Sequence, residues 1–177
     1  MRLAAVLCCA LSMIHVGALR AQVVSNNGAV MSLTSGVVLV ARDVLNGSGT
    51  ITNDGAMELT GDWTNNGGTF TPGSGTVTFT GSASAVNGSA ATQTFNNIIV
   101  NKTAGQLLSV GGSTTTLNVN GSFTETTGDF TAPATMAVTG AVTLTAGTFT
   151  AGTAVSVGGN WTNNGGTFTP GSGTVTF

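Results

Sequence analysis

Two aspartates, Asp43 and Asp62, have the clearest claim to chemistry, because they occupy one position in successive copies of a short repeat, 19 residues apart (62 − 43). Stacked copies would hold the two carboxylates about one strand spacing, roughly 4.8 Å, apart. Paired carboxylates suit a calcium site or the acid pair of glycoside cleavage. Neutral residues fill this position elsewhere: Ser82, Thr103, Ser122, Ala141 and Asn160. A solvated turn, with Arg42 offsetting part of the charge, is therefore the favoured interpretation.

Aromatic and hydroxyl side chains offer two further kinds of surface. Trp63 and Trp161 are candidate platforms for stacking on sugars, but their repeat position is otherwise apolar, which predicts partial burial in a core instead. Threonine pairs such as 76/78 and 174/176 could form a flat hydroxyl array of the kind that ice-binding proteins use. Threonine is also a good outward-facing strand residue. The pattern is interrupted at Asn118 and Ala137, so ice binding is the least favoured of these functions.

The elements that would carry these residues are set by a repeat. The nineteen residues of Gly61–Phe79 (GDWTNNGGTFTPGSGTVTF) return at Gly159–Phe177 with Asn160 in place of Asp62. A shorter unit of 19 to 21 residues runs beneath this one. Self-similarity at such a period is typical of solenoids, in which each unit is too small to bury its apolar face alone.

Aligned units give two apolar columns, spaced two residues apart as on one side of a strand. The first column is Val38, Met57, Val77, Ile98, Leu117, Met136, Val155 and Val175. The second is Val40, Leu59, Phe79, Val100, Val119, Val138, Val157 and Phe177. The unit that begins at Ile98 fits worst after its first strand. Repeated Thr, Val and Phe favour strands, and Asn-Gly and Pro-Gly favour turns.

These columns predict an all-β protein, a parallel β-helix with coils of about 19 to 21 residues. Asparagines that favour turns flank the strands, namely Asn65, Asn66, Asn163 and Asn164. The alternative fold, an antiparallel sandwich, would pair sequence neighbours in hairpins and would not require like residues 19 apart.

A leader precedes the repeats. Residues 1–21 combine Met-Arg, an apolar run and Arg20-Ala21, which predicts a secretory signal peptide cleaved after Ala21, with Ala18 as the other candidate. An uncleaved membrane anchor is disfavoured, since the run is at the short limit for a spanning helix. The repeat domain would then be residues 22–177. Both cysteines and the single histidine lie in the leader, which excludes disulfides, the usual zinc sites and histidine catalysis from that domain.

Charge excludes a further class of partner. Two cations and six acids follow residue 21, a net charge of −4 (2 − 6). Nucleic-acid binding needs a basic face, which this composition does not offer. We predict no catalytic residue, no metal site and no cofactor, and no membrane insertion once the leader is removed. Because the sequence stops two columns into a new unit, we expect a fragment of a longer product, whose uncapped last coil could pair edge to edge with another copy.

The run Gly61–Phe79, followed by Thr94–Lys102 (TFNNIIVNK), resembles large secreted β-strand-repeat proteins of Gram-negative bacteria, similar to adhesin or autotransporter-passenger repeats. Many relatives end in a type IX secretion sorting domain and sit on the cell surface. The resemblance implies an extracellular structural or adhesive module, a stiff spacer or stalk without catalytic activity. Surface glycans or proteins of host or neighbouring cells would bind through regions outside this chain. The alternative is a fragment of a carbohydrate-binding or carbohydrate-active β-helix protein.

Overall fold

The structure of the protein is a computed structural model, which describes the backbone of residues 18–177 and the side chains of residues 22–177. Most of the predicted signal peptide, 1–21, therefore lies outside the described residues, and its cleavage stays a prediction. The described residues contain strands and no helix, so none of them forms a helix long and apolar enough to cross a membrane.

The strands wind as eight coils of a parallel β-solenoid, as the repeat predicts. One long strand makes up each of the first two coils: β1 (Ala18–Leu33) and β2 (Val38–Asn53). Coils 3, 4 and 5 contain β3 (Ala56–Leu59), β4 (Trp63–Asn65), β5 (Thr69–Thr71), β6 (Thr76–Gly81), β7 (Ser84–Gly88), β8 (Thr92–Phe95), β9 (Asn97–Lys102), β10 (Leu107–Val110) and β11 (Thr116–Val119). Coils 6, 7 and 8 contain β12 (Phe123–Thr127), β13 (Asp129–Thr131), β14 (Thr135–Val138), β15 (Val142–Leu144), β16 (Thr148–Thr150), β17 (Ala154–Val157), β18 (Trp161–Asn163), β19 (Thr167–Thr169) and β20 (Thr174–Thr176).

Each coil contributes to three faces. The strand β2 winds through all of them, pairing in turn with β3, β4 and β5. Face 1 continues through β6, β9, β12, β15 and β18, and face 2 through β7, β10, β13, β16 and β19. On face 3 the strands β8, β11, β14, β17 and β20 form a separate five-stranded sheet, and β8 contacts β5 without pairing with it.

Alternation within the strands explains why they stack. In β6 the residues Val77 and Phe79 are buried, while the alternating threonines Thr76, Thr78 and Thr80 face outward. The inward side chains of successive coils meet in a continuous core, in which the ring of Trp63 lies 4.6 Å from Phe70 and 5.3 Å from Phe95. Each fully buried large apolar side chain contributes about 1.5–3 kcal/mol relative to an exposed one, so the core stabilises coils that could not fold singly.

Most of the predicted columns are confirmed in two blocks. In the first block Met57 pairs with Val77 and Val77 with Ile98. In the second block Leu117 pairs with Met136 and Met136 with Val155, and the column continues to Val175. Like residue lies over like residue in each block, and all the described pairings are parallel, which excludes the hairpins of the sandwich alternative.

The register predicted for the coil of Val38 is wrong by one residue. Leu39, not Val38, pairs with Met57. Ala41 is likewise the second inward residue, in place of Val40. Leu39 and Ala41 are buried, whereas Val38 and Val40 are only half-buried. Four consecutive apolar or small residues fit either register, so packing of the larger leucine into the core decides between them.

The two blocks are not joined as the sequence predicts, because Ile98 does not lie beneath Leu117. Ile98 pairs with Phe123, 25 residues later (123 − 98). Leu117 pairs with Gln93 instead. The unit 98–116 supplies two strands, β9 and β10, where its neighbours supply three. One strand is therefore missing, and every later unit is displaced by one face of the solenoid.

Leu117→Asp should unfold several coils, because the side chain is fully buried between Gln93 and Met136 and a carboxylate there would have no counter-charge. We expect a loss of about 3 kcal/mol or more in the free energy of unfolding, measured by urea denaturation. Thr135→Asp on the same face is the control, since Thr135 is exposed. A Leu117→Asp variant that melts like the control would show that the described register is wrong.

Candidate functional site

Asp43 and Asp62 lie at the corner between faces 1 and 2, where each holds the coil above it. Asp43 Oδ1 accepts a hydrogen bond of 3.0 Å from the backbone N–H of Asp62, and Asp62 Oδ1 accepts one of 2.8 Å from Ala85 N–H. Arg42 Nε donates to the other oxygen of Asp43 at 2.8 Å. The two carboxylates are thus partly solvated corner residues with structural partners, and Arg42 forms an ion pair with Asp43.

The same inter-coil bond recurs at other turns. A side-chain oxygen of one coil accepts from a backbone N–H of the next in four more places: Asp54 to Ser74, Asn66 to Ser89, Asn97 to Ser122 and Asp129 to Thr148. These turn residues satisfy backbone donors that the strand ladders leave free at the corners. Four of the six acids after residue 21 therefore have a positional role.

Trp63 is no surface platform, because its side chain is fully buried. Its Nε1 donates to Gln93 Oε1 at 3.2 Å, and Gln93 Nε2 donates to the carbonyl of Asn87 at 3.1 Å. Trp161, in the second copy of the repeat, is half-buried against Phe168, with the ring centroids 4.9 Å apart. The predicted burial in the core is complete for the first tryptophan and partial for the second.

Asn65 and Asn163 serve turns, as expected, and other asparagines bond between coils. Asn65 Oδ1 accepts from Gly67 N–H, and Asn163 Oδ1 makes the equivalent bond with Gly165 N–H. Asn26 Nδ2 also donates to Asn46 Oδ1 at 3.1 Å, so two buried amides stack in successive coils. The threonine pairs 76/78 and 174/176 lie on face 1 and face 3 respectively, so these two pairs do not belong to one array.

Sequence reasoning missed two buried ionisable residues. Glu125 in β12 has no exposed surface, and neither carboxylate oxygen has a hydrogen-bond partner among the described residues. Desolvation on burial, reinforced by the negative charge of Asp129, raises the pKa of Glu125 from 4.5 to about 8. The carboxyl group is therefore mostly protonated at neutral pH.

Lys102, at the end of β9, is also buried, but its ammonium group is hydrogen-bonded. Its Nζ donates to the carbonyl of Thr80 at 2.8 Å and to Ser84 Oγ at 2.6 Å. Burial lowers the pKa of Lys102 from 10.5 to about 8, and the charge of Asp62 opposes part of that shift.

A signal for Glu125 is present in the repeat. The position two residues after Phe123 faces inward, and its equivalents in other units are Asn46, Asn65, Ala85, Gln106, Leu144 and Asn163. Polar residues recur at this inward position, so alternation alone places Glu125 in the core. No comparable signal marks Lys102, which takes the place of a turn glycine.

Most of the charged residues lie along one edge of the solenoid. The corner between faces 1 and 2 holds six of the eight charges after residue 21: Arg42, Asp43, Asp62, Lys102, Glu125 and Asp129. Within residues 18–177 no three His, Cys, Asp or Glu side chains are grouped so that they could hold a metal ion. The charged residues of this edge thus either form hydrogen bonds between coils, as the aspartates do, or are buried with a shifted pKa, as Lys102 and Glu125 are.

No family model, no curated protein and no solved structure matches this chain.

Replacing both Asp43 and Asp62 by Asn should leave the thermal melting temperature unchanged with or without calcium, because an amide oxygen accepts the same backbone hydrogen bonds. The matched Asp43→Ala/Asp62→Ala variant should lose about 1 kcal/mol per bond. Scanning calorimetry with calcium and with EDTA distinguishes the cases. A calcium-dependent rise in the wild-type melting temperature that disappears in the Asn variant would instead reveal a calcium site.

Proposed function

We propose that this segment is a structural module of a secreted bacterial surface protein, a stiff spacer or adhesin stalk that holds other parts of its protein away from the cell. The observation that carries the proposal is the displacement of the repeat by one face. This displacement distinguishes a repeat that maintains the core packing from a repeat that maintains one binding surface.

The near-identical copies show what the repeat preserves. Within Gly61–Phe79 the strands β4, β5 and β6 lie on faces 2, 3 and 1. Within Gly159–Phe177 the strands β18, β19 and β20 lie on faces 1, 2 and 3. The same outward residues therefore point in different directions, while Trp161, Phe168 and Val175 still pack against the core as Trp63, Phe70 and Val77 do. A repeat retained for stacking fits a spacer, whereas a repeat retained for one binding surface would keep its face.

The mechanical basis is the ladder and the core. Consecutive coils are joined by parallel pairing on the three faces, with the one gap between β5 and β8, and by bonds from corner side chains such as Asp43 and Asp129. In such a stack each coil contacts only its neighbours, and length grows by about 4.8 Å per coil. Eight coils make a rod on the order of 35 Å long.

Resemblance to secreted β-strand-repeat proteins supports the location at the cell surface and export through a leader. In this proposal binding to glycans or to proteins of other cells belongs to regions outside the chain. The alternative, a carbohydrate-binding or carbohydrate-active β-helix, would require a sugar platform in this segment. Trp161 is the half-buried candidate for one, since Trp63 is enclosed in the core.

Stiffness can be measured with spin labels on one outward column. Glu58 and Thr162 are exposed and lie on face 1, five coils apart. With cysteines at these two positions, and Cys8 and Cys9 replaced by serine, pulsed electron resonance should give one narrow distance near 24 Å (five coils of about 4.8 Å). A broad distribution of distances at pH 5, where Glu125 is neutral, would contradict the spacer.

A deletion provides the matched length variant. Removing residues 142–160 takes out the whole of coil 7 and places Trp161 over Phe123, because both already share the column of Val142. The labelled distance should shorten by about 5 Å and stay narrow. Thr143→Ala, an outward change in the deleted coil, is the control and should leave the distance unchanged. Saccharide binding by the intact chain that Trp161→Ala abolishes would favour the carbohydrate alternative.

A further inference from the structure

Glu125 is the one described carboxyl group that is fully buried and has no partner at either oxygen. Its strand, β12, lies between β9 and β15, and Glu125 itself pairs with Val100 below and Leu144 above. Both of these neighbours are fully buried apolar residues. The carboxyl group thus replaces an apolar residue in an inward column.

The charged groups around Glu125 do not neutralise it. Lys102, on β9, directs its ammonium group to Thr80 and Ser84 in coil 4, and the described residues contain no ion pair between Lys102 and Glu125. Asp129, at the start of β13, adds a negative charge. The strand above, β15 (Val142–Leu144), has no ionisable side chain.

The space around the carboxyl group suits a neutral acid. A Cβ placed on Gly147 would lie 3.0 Å from Glu125 Oε1 and would clash with the carbonyl oxygen of Gly128. A carboxyl oxygen and a carbonyl oxygen therefore face the same point beneath the corner of coil 7. Neither carboxyl oxygen has a hydrogen-bond donor among the described residues, so nothing described there would stabilise a carboxylate.

We propose that Glu125 is a proton-operated latch: coils 5, 6 and 7 stay packed while its carboxyl is neutral, and its ionisation loosens them. The latch lies beside the 25-residue step from Ile98 to Phe123 (123 − 98), where the repeat loses a strand. Opening there would leave coils 1 to 4 as a rigid rod and free the last coil to move relative to it.

The direction of the pH dependence follows from burial. The pKa of Glu125 is raised to about 8 in the folded protein, so the folded state keeps a proton that an opened state releases. The neutral carboxyl group stabilises the packed state of coils 5 to 7 fully below 4.5, the ordinary pKa of a glutamate. This stabilisation is lost as the pH rises from there through 8. Lys102, whose pKa is lowered to about 8, acts in the opposite sense and only above that pH. The decline between pH 4.5 and 8 is therefore the signature of Glu125.

The chain offers a direct test, since Glu58 and Glu125 are its only glutamates. Labelling the full chain with ¹³C-glutamate gives two carboxyl signals, and the exposed Glu58 serves as the internal reference. We expect the Glu125 signal to titrate near pH 8. Amide protection factors in β12 and β15 should fall by up to about tenfold per pH unit between pH 5 and 8, the limit for one proton, while those in β3 and β4 stay level.

Two variants isolate the carboxyl group. Glu125→Gln, which keeps the shape and cannot ionise, should remove the pH dependence of protection in β12 and β15, and the control Glu58→Gln should retain it. The latch would be overturned if the Glu125 signal of the wild type titrated at the same pH as the Glu58 signal. An unchanged pH dependence of amide protection in Glu125→Gln would overturn it as well. If Glu125→Gln does not fold, the titration of the wild-type signal decides alone.

Discussion

The fold depends on one constraint: the inward apolar side chains of each coil must be covered by the coils on both sides of it. A single coil exposes its inward side chains at both ends, and they leave water only when the next coil presents its own inward residues in register. Parallel ladders fix that register, and the corner bonds of residues such as Asp43 and Asp129 keep adjacent coils aligned where the ladders stop. These limits do not constrain the outward residues. Threonine, a good strand residue, recurs among them on more than one face.

Column analysis predicts the blocks Met57–Ile98 and Leu117–Val175 because each unit there supplies three strands, so chain period and spatial period agree. The unit 98–116 breaks this agreement while keeping a 19-residue period, and a period alone does not reveal how many strands lie within it. The slip at Val38 has another origin, since Leu39 and its neighbours are all apolar. Only packing against the next coil distinguishes two such registers.

In the candidate site, too, some features are predictable from the sequence and others only from the structure. The turn role of Asp43 and Asp62 follows from their column, where most equivalents are neutral and polar. Glu125 shares an inward position with Asn46 and Asn65, a pattern visible in the sequence once polar columns are examined alongside apolar ones. Its lack of a partner is a three-dimensional fact, because it depends on where Lys102 directs its ammonium group.

The missing strand also affects how neighbouring molecules meet. Identical rows running the whole length of two solenoids would match along their sides and favour sheet-on-sheet zippers of the amyloid kind. Here the outward row on face 1 reads Glu58, Thr78, Ile99, Thr124, Thr143 and Thr162, and the second copy of the long repeat points elsewhere. A protein built from near-identical units thereby presents an outward row on face 1 that is uniform only in coils 6 to 8, which shortens the stretch over which two such rows could match.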